Sequence, residues 1–271
     1  MEMRGLMGGF YKISEWIMRL SVTNVLWLIC SIPFVIFFAT ALFFSQDESQ
    51  LYSGLVISAV VAPFTFFPAT AAMFAVARKW VMGEVDAPLF KTFFRGYKEN
   101  YVQSMLGGIL YSLLLTIMFV DYRVYLNELS SFQFLSFIFI GLMLLLLVSI
   151  FNYFSMMVHY HMKTFQLLKN AILITIGRPF RSLSTVLMSG AIIFISFQFT
   201  FLIPFFMGSL IATASFYNFH LIYLKLKEQQ EKLAEEVDQE EDEDDEVRPD
   251  NLNEPEERSS DASDRAENDK R

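Results

Sequence analysis

The sequence predicts an all-α protein: a polytopic membrane helix bundle of six transmembrane helices, both termini cytoplasmic, ending in a disordered acidic tail. Three observations point there. Hydrophobic residues make up 54% of the 271 positions and charged residues only 18%, with a mean hydropathy of +0.40. Soluble domains usually carry about 25% charge. Uncharged runs long enough to cross ~30 Å of hydrocarbon recur along the chain. The Lys and Arg residues between those runs fall in alternate loops, as the positive-inside rule requires of a multi-pass protein.

The first run covers Val22–Phe44, and the basic stretch before it leads into a run too long for a cleavable signal. It is read as a retained helix. The second, Leu51–Ala77, contains Pro63 and Pro68, which kink or break a helix and free its carbonyls. The third is Tyr101–Val120. The fourth, Leu129–Met162, exceeds one span, and its membrane part is placed near 138–160. Ser182–Leu224 holds no Asp, Glu, Lys or Arg over 43 residues. One helix of that length is about 64 Å long, roughly twice the hydrocarbon thickness. Two helices with a turn at Pro204–Gly208 account for it.

Charge sets the orientation. Arg4, Lys12 and Arg19 precede the first run; the next loop carries Asp47 and Glu48 and no base. Arg78, Lys79, Lys91, Arg95 and Lys98 follow the second run, whereas only Arg123 follows the third. Lys163, Lys169, Arg178 and Arg181 follow the fourth, and Lys225 and Lys227 close the sixth. The base-rich side is expected to be cytoplasmic. The connectors 78–100 and 163–181 mix bases with aromatic and aliphatic residues, a pattern suited to the interface plane. An offset of about 82–84 residues, which aligns Lys79 with Lys163 and Gly108 with Gly190, leaves an internal repeat open.

Domain organisation follows from a change in composition. Residues 1–225 carry 14 Lys and Arg against 9 Asp and Glu, net +5, and form the bundle with its basic loops. Residues 226–237 are rich in helix formers and are read as a helical extension. Residues 238–271 are acidic and polar, with too little apolar surface to offset ordering entropy, and are read as the disordered tail.

Catalytic patterns are absent from the sequence: there is no Gly-rich phosphate loop, His-Glu-x-x-His or Gly-x-Ser-x-Gly. The protein is read as no enzyme, with no cofactor and no metal. Cys30 is a lone apolar-run cysteine, which forbids an internal disulfide. Candidate functional or packing positions are Pro63, Pro68, Thr70, Asn152, His159, His161, Lys169 and Asn170. Pro68-Ala69-Thr70-Ala71-Ala72 is either a broken-helix site or a simple helix bend. Asn24, Asn152, Gln198 and Asn218 serve interhelical hydrogen bonds or a polar pathway. His159 and His161 lie two residues apart, so a helix points them in different directions; with His220 they serve interfacial packing or a pH-sensitive role. Ser104, Gly108, Ser112 and Thr116 form a small-residue stripe suited to close helix packing.

A resemblance adds to this reading. Gly8-Gly9-Phe10-Tyr11-Lys12-Ile13-Ser14-Glu15-Trp16, Pro68-Ala69-Thr70-Ala71-Ala72-Met73-Phe74-Ala75-Val76 with Arg78-Lys79-Trp80 and Gly83-Glu84, Phe90-Lys91-Thr92-Phe93-Phe94 and Leu167-Leu168-Lys169-Asn170-Ala171 resemble YesL-like proteins over residues 5–225. The resemblance implies a bacterial multi-pass plasma-membrane protein of unknown biochemical function. Family members often lie beside genes for carbohydrate ABC transporters and polysaccharide-degrading enzymes. It therefore implies an accessory or regulatory role in carbohydrate uptake, with a small-solute facilitator or channel as the alternative. The implied partners are the lipid bilayer and a membrane protein such as a carbohydrate ABC transporter, with no nucleic acid. The oligomeric state stays open, and the long acidic tail departs from the family's usual short C-terminus.

Overall fold

The computed structural model describes the backbone of residues 6–127 and 133–247, and all regular elements there are helical. Nine α-helices run in chain order: α1 (Leu6–Cys30), α2 (Ile32–Phe44), α3 (Glu48–Val61), α4 (Phe66–Val81), α5 (Leu89–Asn127), α6 (Leu135–His159), α7 (Thr164–Gly177), α8 (Pro179–Gln198) and α9 (Gly208–Val247). Among the described residues five helices are long and apolar enough to cross a membrane: α1, α5, α6, α8 and the one opening at Ile203. The α3–α4 pair makes a sixth if its bent halves count as one span.

The run 22–44 is not one straight helix. It breaks at Ser31, and Pro33 opens α2. A proline inside a continuous helix would clash with the carbonyl four residues back, here that of Ile29. The second run breaks as its prolines predict. Pro63 lies in a 3₁₀ turn at Ala62–Phe64, and α3 and α4 meet at 50°. Pro68 sits in the first turn of α4, where its missing N–H costs nothing. Asp47 caps α3 by accepting from the Gln50 N–H at 2.7 Å.

Further expectations need correction. The connector 78–100 is not a separate interfacial segment: from Leu89 it belongs to α5, a single helix of 39 residues. Such a helix is about 58 Å long, so α5 overruns the hydrocarbon core at both ends. Arginine, lysine and aromatic residues at helical spacing suit either arrangement, and packing against α4 selects the continuous one. Another correction concerns the turn in the 182–224 run. The chain turns at residues 199–201, and Pro204 instead opens a five-residue π-helical segment, Ile203–Met207, that feeds α9. Proline is pre-organised for a first helical turn, which moves the loop ahead of it. The 163–181 connector does form a short helix, α7. The helix expected at 226–237 runs on to Val247, so it takes in ten residues of the segment read as disordered. Residues 248–271 of that segment lie outside the described residues.

The core of the Met1–Leu224 unit is built around α4. Eleven of its 16 residues are buried, because small side chains let α5, α6 and α1 approach from different sides. Gly108 of α5 marks one close contact: a Cβ there would lie 2.7 Å from the Phe67 ring and 2.9 Å from the Pro63 Cα. Aromatic rings fill the space beside α4. Phe154 packs on Phe67 and Phe74 with centroids 5.5 and 5.4 Å apart, and Tyr111 meets Tyr153 edge-on at 5.4 Å. The Tyr111 and Ser149 hydroxyls share a 3.0 Å hydrogen bond. The Tyr153 hydroxyl donates to the Gln103 carbonyl at 2.8 Å.

Polar side chains stitch the helices. Asn24, fully buried in α1, donates to the carbonyls of Ile203 and Pro204 at 3.0 and 2.7 Å and accepts from the Ser209 N–H at 3.0 Å. Asn152 donates to Thr175 Oγ1 at 2.9 Å, linking α6 to α7, and Asn218 donates to Thr185 Oγ1 at 3.3 Å, linking α9 to α8. Gln198 is exposed at the end of α8. Beyond Leu224, α9 carries i,i+4 ion pairs of its own, Lys232 with Glu228 and Lys227 with Glu231.

Candidate functional site

At the base-rich end of the bundle, α4 must turn back into α5. It ends at Val81, and Gly83 takes φ +89°. The Gly83 N–H bonds the Trp80 carbonyl at 3.1 Å and the Glu84 N–H bonds the Lys79 carbonyl at 2.9 Å. This is a glycine-terminated helix end, and a residue with a Cβ at position 83 would be strained. The loop after it is anchored to α1. Arg19 is only 8% exposed and donates to the Glu15 carboxylate, the Val85 carbonyl and Asp86. Trp16 packs edge-on against Trp80, 5.6 Å between centroids.

The reversal leaves a cleft of about 820 Å³ between the end of α4, the first turns of α5 and the end of α6. Its charged lining comprises Arg78, Lys79, Lys91 and Arg95 against Glu84 and Glu99, with His161 alongside. Both carboxylates are already engaged, Glu84 with Lys79 at 2.5 Å and Glu99 with Arg95 at 2.8 Å. Arg78 and Lys91 have no carboxylate partner among the described residues, and the Arg78 Nε–H is buried without an acceptor. Neutral polar groups complete the wall: Thr92, Asn100, Gln103 and Tyr160. Burial pushes the Tyr160 phenol up, and neighbouring Tyr223 adds to the shift, so it stays a neutral hydroxyl. The cleft can thus hold an anion with polar substituents.

The candidate positions separate in space. Only His161 of the eight lines the cleft. Pro63 and Pro68 are buried at the start of α4, and Thr70 accepts from the Trp27 indole N–H at 3.0 Å while donating to the Phe66 carbonyl at 2.7 Å. Asn152 is the α6–α7 bridge described above. His159 is directed away from His161 into an aromatic nest, 4.6 Å from Tyr223 and 5.8 Å from Phe219 between ring centroids. Lys169 is exposed on α7, and Asn170 contacts Met162 Sδ at 3.7 Å. Among the described residues no group of three or more His, Cys, Asp or Glu is placed to hold a metal ion. Arg78, Lys91, Asn100 and Tyr160 were not singled out from the sequence. The one available signal was the excess of bases between Arg78 and Lys98, five against the two acids Glu84 and Asp86.

A bundle of apolar helices with a closed aromatic interior and charges collected at its ends defines an integral, polytopic membrane protein of the all-α class. Comparison with known proteins gives the family. A family model described as "Protein of unknown function, DUF624" matches residues 20–122. The chain is 30% identical over 208 residues to the uncharacterized protein YesL of Bacillus subtilis, covering 75% of this chain and 84% of that one. It is 28% identical over 228 residues to the uncharacterized protein YteU of the same organism, 84% of this chain and 91% of the relative. A third B. subtilis relative, the uncharacterized protein YesV, is 30% identical over 147 residues, 53% of this chain and 69% of that one. The chain belongs to this YesL-like family of unknown function. No solved structure matches it.

Proposed function

We propose that the protein is a non-enzymatic accessory component of the bacterial plasma membrane, with both termini cytoplasmic, that assists a carbohydrate-uptake system of the ABC-transporter type. The observation that carries this reading is the surface of the two basic connectors. Phe90 and Phe94 are exposed beside Lys91 and Lys98 on α5, and Phe165 and Phe180 stand bare beside Lys169 and Arg181 at α7 and the start of α8. Exposed aromatic residues among bases are the composition of an interaction surface rather than of a solvated loop. The genomic company of YesL-like proteins supports the carbohydrate assignment. The aromatic filling of the bundle interior by Phe67, Phe74, Tyr111, Tyr153 and Phe154 supports a contact role over a conducting one.

Affinity purification of the full chain in mild detergent tests the proposal. A transporter subunit is expected to co-purify, and the Phe165→Ala/Phe180→Ala double variant is expected to lose it while still folding. Recovery of the protein alone from membranes that contain the transporter counts against the reading. A reporter fused after Leu224 checks the orientation, with cytoplasmic signal expected. A small-solute facilitator is the second reading, favoured by the 50° break at Thr65 in the α3–α4 pair. Sugar flux into proteoliposomes separates the two.

A further inference from the structure

The cleft at the base-rich end has a chemistry that the accessory role does not use. Its charge is asymmetric once internal pairs are removed. Glu84 and Glu99 neutralise Lys79 and Arg95, which leaves two lining cations without a carboxylate partner among the described residues, Arg78 of α4 and Lys91 of the first turn of α5. The Arg78 Nε–H is enclosed and unbonded. A buried donor without an acceptor is destabilising, and that cost is removed when an anion supplies the oxygen. Arginine presents a planar fork that matches phosphate oxygens two at a time, and lysine contributes a mobile point charge. The first turn of α5 also lines this wall at Lys91 and Thr92, and the positive end of a helix dipole reinforces the same sign.

We infer that the cleft between α4, α5 and α6 binds a phosphate-bearing small ligand, with Arg78 and Lys91 holding the phosphate. Size says more about the ligand. A volume of about 820 Å³ lies within the range of sites for whole small molecules, roughly 300–1,000 Å³, and inorganic phosphate alone would leave most of it empty. The remaining wall offers Asn100, Gln103, Tyr160 and His161, which suit hydroxyl groups. A polyol phosphate fits this description. Two sources share that chemistry: a soluble sugar phosphate, and the glycerol-phosphate headgroup of an anionic lipid. The inference does not rest on the accessory role.

The experiment uses the full chain in phosphatidylcholine nanodiscs. Glucose 6-phosphate, glucose and inorganic phosphate are titrated by calorimetry, and a parallel preparation with phosphatidylglycerol is scored by native mass spectrometry for retained lipid. Lys91→Gln and Arg78→Gln remove the cations, and Lys98→Gln removes an exposed base outside the cleft on the same helix. Lys91 is exposed, so its variant folds even if Arg78→Gln does not. The expected result is binding of a phosphate-bearing ligand, weakened at least tenfold by Lys91→Gln and unchanged by Lys98→Gln. Saturable binding of glucose 6-phosphate but not glucose assigns the soluble source. Retention of phosphatidylglycerol, lost in Lys91→Gln, assigns the lipid source. Absence of both, or equal loss in Lys91→Gln and Lys98→Gln, overturns the inference.

Discussion

Helices α4 and α8 are both apolar and of comparable length, yet one is sheathed in protein and the other is bare. In α4, Ala69, Ala71, Ala72, Phe74, Val76 and Ala77 are almost completely buried. In α8 the buried residues are all hydroxyl-bearing, Ser182, Thr185, Ser189 and Ser196, while Phe180, Leu187, Phe194 and Phe197 are exposed. The difference lies in side-chain volume. Small residues give helices access to one another, and in lipid, packing rather than burial from water drives association. Large side chains on α8 face a solvent that is itself hydrocarbon, so leaving them out costs little. Hydropathy alone makes both helices apolar, α8 as a span and α4 as half of one with α3, and does not reveal which is enclosed.

The offset that pairs Gly108 with Gly190 offers the sharpest way to break this comparison. Gly108 touches Phe67 and Pro63, whereas a Cβ at Gly190 would meet nothing within 4 Å. Gly108→Ala is expected to destabilise the bundle by about 1–3 kcal/mol through overpacking, read as a lower midpoint of unfolding in mild detergent. If Gly108→Ala proves neutral, the tight α4–α5 contact does not exist in the membrane. Asn24→Ala should cost about 1–2 kcal/mol by the same measure, because three backbone groups of the π segment and the start of α9 lose their partner. Tyr111→Phe should cost about 1 kcal/mol, leaving the buried Ser149 hydroxyl without its phenolic partner. Gly190→Ala should stay within about 0.5 kcal/mol; a large loss there would mean that α8 has a partner helix at this face. Deleting residues 238–271 should change membrane insertion and detergent stability least of all, since acidic polar chain contributes no apolar packing.

These contrasts mark what was legible from the chain alone. The later spans and the broken second helix could be read, because hydrocarbon thickness and proline chemistry act on local sequence; the first could not, since its helix ends at Cys30 and starts well before Val22. Asn24, Asn152 and Asn218 could be assigned to interhelical bonding because a polar amide in an apolar run has few other uses. The continuity of α5 could not be read, since a basic amphipathic stretch looks the same along the interface as in a helix leaving it. Pro204 was ambiguous for a related reason: proline both ends a turn and begins a helix. The cleft was hidden because Arg78, Lys91, Asn100 and His161 come from α4, α5 and the linker after α6. Their shared surface depends on the reversal at Gly83 and on α6 arriving alongside, neither of which leaves a periodic trace.

The enclosure of α4 also bears on how the protein is made. Synthesis delivers α4 to the bilayer before α6, yet Phe154 of α6 is what covers Phe67 and Phe74. Until α6 arrives, the small-residue face is unroofed and the 62–65 break presents irregular backbone that lipid cannot satisfy. The nascent chain therefore has a vulnerable age, which closes only when its fourth long apolar segment is in place.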